Sequence, residues 1–579
     1  MIKGIISKKP KTKKKPLTAE EKKRKAAEAK LKKEQKKYIN QIRSIFSDAG
    51  FSRINSDDIE INFKGRSGEI DDLFLYENVL IVCEQTNGKK VGKHLMNKLY
   101  LYNEIVDNNS DFIDLVETTY KEFKSIKNTS YTNEHYKVIV LYCSKNSIPE
   151  EHKKLLSNKI KFLEYHILHY LLAITSTIKL SSRFEVLNFL GLNYNEIGEN
   201  ILTASLSSGN EYPGTILPES HSSFSKGYKV VTFYIDPEAL ISRAYVLRKD
   251  GWVDGGVLYQ RALDKKKVTS MRNYLNEEKR VFVNNVIATF SEDTRFVGAD
   301  RKTIEVDKIT KTSPVLISLP NTFNSICIID GQHRLYAYHE REDSLESEIK
   351  SLRKRQNLLV TAIYYPQGTT QKERAKFEAK LFLEINDKQT KTKPDLRQAI
   401  ELITDPYSGT AIAKELINRF AKSGPLENLI ELYSYDKGKV KTASIVSYGL
   451  KPLVKFSGSD SLYSVWTNPN KTKLLDRSDD NVLTEYIDYC ATEINKIFAA
   501  FRKAIDKERW KTNGDGVVKI TVINGFIAAL KSLIENNKLD DITNYANKLK
   551  GINSFKFENY KSSHWAELGN DLYDQYFSK

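Results

Sequence analysis

Two acidic residues, Asp71 and Glu84, are the first whose types and spacing could do chemistry together. Asp71 lies in Glu69-Ile70-Asp71-Asp72-Leu73-Phe74-Leu75, and Glu84 closes the apolar run Val79-Leu80-Ile81-Val82-Cys83, with Glu77-Asn78 as a turn between them. If both runs are strands of one hairpin, the carboxylates converge on one point. Hard oxygen ligands of this kind suit magnesium or manganese, which can polarise a phosphodiester and lower the pKa of a bound water. A second set is Asp330-Gly331-Gln332-His333-Arg334, which follows the apolar run Ile326-Cys327-Ile328-Ile329 without a break. A strand, a glycine turn and a helix start in that order leave free backbone amides and the positive end of a helix dipole. With Arg334 beside them, these groups would make an anion pocket. Basic residues that could meet a phosphate backbone are Lys13, Lys14 and Lys15 near the start, and Lys89 and Lys90 just after Glu84.

The elements that must position these groups can be read from the apolar pattern. Residues 1–37 hold sixteen Lys and Arg against four Glu, so most of the net charge of +17 sits in one arm. Lysines that neutralise a polyanion release its counterions, so the arm either contacts DNA or is a solvated extension. Thr18-Ala19-Glu20-Glu21 has the form of a capping box, which predicts a helix running through Ile39, Ile42 and Phe46 to a stop at Gly50. Strands are expected at 59–63, 69–75 and 79–84, a helix bearing Val91, Leu95, Leu99 and Ile105, and a further strand at 136–143. Beyond 225 the pattern predicts strands at 228–235, 315–319, 326–329 and 358–364, with helices over 263–275 and 377–385. From Leu396 onward the pattern is helical. The expected fold class is therefore a multidomain α/β chain. It comprises a basic arm and helix start (1–38), an α/β domain (39–178), a linker (179–224), an α+β domain (225–395) and a helical region (396–579).

Two resemblances sharpen these readings. Glu-Ile-Asp, a hairpin and an apolar strand ending in Glu resemble the PD-(D/E)xK nuclease superfamily, with a restriction-endonuclease-like α/β fold. Asp71 and Glu84 fall on its two metal-ligand places, but Thr86 stands where the lysine belongs. That lysine orients the nucleophile and stabilises developing charge, so cleavage requires a substitute, for which Lys89 and Lys90 are nearest. The segment Asp330-Gly331-Gln332-His333-Arg334, with Gln260-Arg261 upstream and Phe382-Leu383-Glu384-Ile385-Asn386 downstream, resembles the DGQHR-domain family. That family includes DNA-sulfur-modification-associated (Dnd B-type) proteins and belongs to the ParB/sulfiredoxin superfamily. The resemblance implies a nucleotide triphosphate as ligand, whether ATP, GTP or CTP, in a bacterial protein tied to DNA modification or antiviral defence. Gly331 and Arg334 would hold phosphates, His333 would contact or protonate a phosphate oxygen, and Asp330 would position a metal or water. Gln260, Arg261, Gln332 and Asn386 would complete the wall, and co-encoded defence proteins are implied as partners.

Composition sets the bounds. At 40% hydrophobic and 28% charged, the chain is globular in type, and no apolar run approaches the ~20 residues a bilayer demands. No signal peptide opens it, so a cytoplasmic location is expected. Cys83, Cys143, Cys327 and Cys490 have no paired spacing and read as small buried hydrophobes. Three functions stay open on this evidence. One is a DNA nuclease and nucleotide triphosphatase in one chain. Another is a non-catalytic DNA-binding regulator with a ligand pocket, and the third is a nucleotidase whose front domain only recognises DNA.

Overall fold

A basic helix that turns apolar halfway along opens the folded chain. The computed structural model describes residues 18–57, 59–202, 211–247, 263–387, 392–433 and 435–578. The chain divides into two compact units, residues 1–168 and 169–579. It is a mixed α/β multidomain protein with a helical C-terminal region, and among the described residues no helix is long and apolar enough to cross a membrane.

In the first unit, helix α1 (Ala19–Asp48) exposes Lys30, Lys32, Lys33, Lys36 and Lys37, then buries Tyr38, Ile42, Ile45 and Phe46. Gly50, at φ +91°, lets the chain reverse, and the Phe51 amide returns to the Phe46 carbonyl at 2.9 Å. Seven strands follow: β1 (Ser52–Ile54), β2 (Glu60–Phe63), β3 (Arg66–Glu69), β4 (Asp72–Tyr76), β5 (Val79–Thr86), β6 (Lys137–Ser144) and β7 (Ile160–Glu164). Five of them form a sheet in the order β1-β4-β5-β6-β7. β1, β4 and β5 are antiparallel, whereas β6 and β7 run parallel to β5. The β5-to-β6 crossover begins with helix α2 (Val91–Asp107). The strands expected at 59–63, 69–75 and 79–84 do not form one sheet. β2 and β3 form a separate hairpin, turned at Lys64 and Gly65, both with positive φ, and β1 supplies the outer strand beside β4.

The second unit is built on an eight-stranded sheet, of which the first four strands are β8 (Glu211–Leu217), β9 (Lys229–Ile235), β10 (Ala244–Tyr245) and β11 (Val286–Phe290). The others are β12 (Arg295–Val297), β13 (Ser313–Ser318), β14 (Ile326–Asp330) and β15 (Leu358–Tyr364), and the order is β10-β14-β11-β15-β9-β8-β13-β12. The stretch 179–224, expected to be a linker, carries β8, which pairs with both β9 and β13. Helix Gln371–Asp387 packs Ala379 and Phe382 against Cys327 and Ile329 of β14. The C-terminal part is helical as the pattern predicts, with Asp480–Ala504 burying one face and Ile520–Glu535 buried all round from Val522 to Leu530, in a common core. All four cysteines are buried and free.

Candidate active site

Strand alternation decides which acids meet. Asp72 lies opposite Cys83 in the β4–β5 register, so these two share a face of the sheet and Glu84 projects from the other. On that other face, α2 brings His94, Lys98 and Tyr102, spaced four residues apart along one side of the helix, against Glu84. Lys98 Nζ lies 3.2 Å from Glu84 Oε2 and also donates to the Glu69 carbonyl at 2.9 Å. His94 Nε2 lies 3.4 Å from Glu84 Oε1, while its Nδ1 shares a 2.9 Å hydrogen bond with the Tyr142 hydroxyl. Asp71 sits in the bend just before β4 and accepts the Gln85 backbone amide on Oδ2 at 2.6 Å.

The electrostatics join the two carboxylates. Burial pushes the Asp71 carboxyl up to about 6, and the neighbouring charge of Glu84 adds to the rise against the opposing Gln85 amide and Lys98. Burial likewise raises Glu84, with Lys98 pulling back, and lowers His94, where Lys98 acts in the same direction. Two half-compensated carboxylates facing one another are a donor set that a hard divalent cation would stabilise. Among the described residues no group of three or more His, Cys, Asp or Glu forms a metal cluster. A cation here would draw its remaining ligands from water and substrate oxygens.

Sequence reasoning missed Lys98. Thr86, in the expected lysine position, is buried, and Lys89 and Lys90 are both exposed. The cation beside Glu84 comes instead from the middle of α2. The signal was present as His94, Lys98 and Tyr102 at helical spacing after the acidic strand end. Lys13, Lys14 and Lys15 lie outside the described residues.

The opposite face of the same strands carries a different cluster. Asp72 is fully buried and accepts from Arg43 Nε of α1 at 2.8 and 3.0 Å, from Arg53 Nε of β1, and from Gln85 Nε2 at 2.5 Å. Gln85 therefore donates to both aspartates, its backbone to Asp71 and its side chain to Asp72.

In the second unit, Gly331 adopts φ +96° at the junction of β14 with the short helix Gln332–Tyr336. Arg334 Nη2 donates to Asp330 Oδ2 at 2.9 Å and to the Asn285 carbonyl at 2.8 Å. A Cβ at Gly331 would meet Arg334 Nη2 at 3.0 Å and Val286 Cα at 3.2 Å, so the space beside the glycine is filled from within. The Asp264 amide donates to His333 Nε2 at 3.1 Å, and Asp264 in turn caps helix Lys265–Glu278. Gln332 is buried, and Asn386 Nδ2 donates to the Phe382 carbonyl of its own helix at 2.9 Å. Gln260 and Arg261 lie outside the described residues. Past the helix, His339 is buried with Nδ1 on the Tyr336 carbonyl at 2.8 Å, and Arg272 Nη1 donates to the His339 carbonyl at 2.5 Å. Burial, assisted by Arg272, lowers the His339 imidazole to about 3.

At this junction Arg334 Nη2 is taken by Asp330 and the Asn285 carbonyl while its Nε is buried without a partner, and a single helical turn offers little dipole. No protein-family model, curated protein or solved structure matches the chain.

Proposed function

We propose that the first unit is a DNA nuclease domain of the PD-(D/E)xK kind, in a bacterial protein of DNA defence or modification. The observation that carries the reading is the placement of buried Glu84 near the end of β5 with Lys98 Nζ 3.2 Å from it, while Asp71, just before β4, accepts the amide of Gln85, the next residue along β5. The order of elements supports it: a helix, antiparallel strands, a helix and then a parallel strand. Magnesium or manganese would be held by Asp71 and Glu84, and when bound would polarise a phosphodiester and lower the pKa of a water. Lys98 takes the part of the absent lysine at position 86, placing positive charge beside Glu84 where the attacked phosphate gains negative charge. The exposed lysines of α1 supply sequence-independent affinity for the DNA backbone, with strong salt dependence. No step is assigned to a nucleotide at the Asp330–Arg334 junction.

The test is plasmid cleavage with magnesium or manganese by the full chain, beside Asp71→Asn, Glu84→Gln and Lys98→Ala. Cleavage lost in all three variants, each with an unchanged melting temperature, is the expected result. Cleavage that survives Asp71→Asn belongs to another site or a contaminant.

A second reading has its own support. Thr86 in the lysine position and Arg334 closed on Asp330 are what a non-catalytic DNA-binding regulator would show, its ligand opening the Arg334 pair. Salt-sensitive DNA binding without cleavage under either metal would select it.

A further inference from the structure

Arg43 and Arg53 share two carboxylates, one buried and one exposed. Each is anchored at the rear, Nε to the buried Asp72, and each turns Nη2 outward onto one carboxylate. Arg43 Nη2 lies 3.1 Å from Asp57 Oδ1, and Arg53 Nη2 lies 3.1 Å from Asp57 Oδ2. One anion thus bridges two fixed guanidiniums, one oxygen to each, which is how the two free oxygens of a phosphodiester would be taken.

We propose that Arg43 and Arg53 form a clamp for a phosphodiester of the nucleic-acid backbone, and that Asp57 is its built-in occupant, displaced when DNA binds. This deepens the nuclease reading and rests on it for the identity of the polymer. Three observations carry the proposal. The first is charge: Asp72 cancels one of the two guanidiniums, and Asp57 cancels the other. The second is accessibility, because both arginine side chains are 30% exposed and Asp57 is 49% exposed, while Asp72 is fully buried. The outer pair can therefore exchange while the inner one stays, since an exposed ion pair contributes little and a polyanion competes for it. The third is spare capacity: Nη1 of each arginine donates to no described residue. The Asp57 amide donates to Asn55 Oδ1 at 3.4 Å in the turn after β1.

Position relates the clamp to the acids. Asp71 and Asp72 are consecutive and Gln85 donates to both, so the clamp and the carboxylate pair occupy opposite faces at one end of the same two strands. A backbone crossing that end presents one phosphate to the metal ligands and another to the arginines.

The experiment is binding of a short duplex to the full chain by fluorescence anisotropy, in EDTA so that cleavage plays no part, across a salt series. Asp57→Asn and Asp57→Ala should each bind roughly three- to tenfold tighter at low salt, with a salt slope steeper by about one ion. Adding Arg53→Gln to Asp57→Asn should return the affinity to that of the unaltered chain. Unchanged or weaker binding in both Asp57 variants overturns the clamp, as does tighter binding that survives Arg53→Gln. Inorganic phosphate and ATP, at matched ionic strength, form a separate arm. Displacement of DNA by either would assign the arginines to a small free anion and overturn the polymer assignment. Because no metal is present, the outcome is independent of whether the unaltered chain cuts plasmid, and each reading can fail alone.

Discussion

Two acidic strand ends, one in each unit, face opposite fates. At the end of β5 Glu84 is met by Lys98, while the charge of Glu84 adds to the burial that raises the Asp71 carboxyl. At the end of β14 the single carboxylate of Asp330 is met by Arg334 four residues on, and Val286 closes the space around Gly331. The second site carries the more specific sequence motif and the first carries the less balanced chemistry. The lesson is that residue types at a strand end do not decide whether charge is available. What the neighbouring strand and helix bring to it does.

The largest expected effect is at Asp72, a fully buried carboxylate that pairs with both Arg43 and Arg53. Asp72→Asn should cost about 3–5 kcal/mol in urea unfolding, because it leaves two anchored guanidiniums without their buried partner. Asp330→Asn, in a partly exposed pair, should cost about 1 kcal/mol or less. Similar losses at both sites would erase the distinction between them. Next in size is catalysis: Asp71→Asn and Glu84→Gln should each lower metal-dependent plasmid cleavage by about 10²–10³-fold. Arg334→Ala should leave the cleavage rate within about threefold, as expected of a charge spent on a local pair.

Smaller effects sharpen the picture of the second site. Gly331→Ala combines positive φ with a tight approach to Val286 and should destabilise by about 1–3 kcal/mol, read from the urea midpoint. His339 makes the stability of that unit depend on pH. Its imidazole is neutral in the folded chain down to about 3, whereas an unfolded histidine takes a proton below about 6.5. Its contribution is therefore complete above pH 6.5 and is lost as pH falls from there towards 3, at up to about 1.4 kcal/mol per pH unit. Melting curves at pH 7 and pH 5 should show the drop in the unaltered chain and a shallower one in His339→Gln. Equal slopes in the two proteins would place the acid sensitivity elsewhere.

Much of the architecture was legible because it rests on apolar runs. β4, β5 and β6 are buried along nearly their whole length, and the amphipathic C-terminal helices announce themselves by spacing. The strands that escaped notice lack that signal. β3 is Arg-Ser-Gly-Glu and buries no apolar side chain; it exists because Lys64 and Gly65 can take the left-handed turn. β8 contains Pro213 and Gly214, which read as a linker. Its pairing with β9 begins only at Gly214, so the proline removes no amide from that ladder, and a Cβ at 214 would run into the Thr232 carbonyl and Ile317. Asp71 and Glu84 were legible as a pair, because a hairpin fixes their relation. Lys98 was not, because its place beside Glu84 depends on how α2 packs, and that is a tertiary fact. The arginine clamp was invisible for the same reason: α1, β1 and the turn at Asp57 meet only in the folded unit.

The Asp71–Asp72 doublet imposes a reading frame on the protein's chemistry. Because neighbouring positions serve opposite sides of the sheet, deleting either aspartate would advance every upstream residue by one place and hand each side the other's partner. Substitutions can tune this end of the molecule one charge at a time, but a change in chain length between β3 and β4 would dismantle both sides at once. Insertions and deletions should therefore be excluded from the few residues around Ile70.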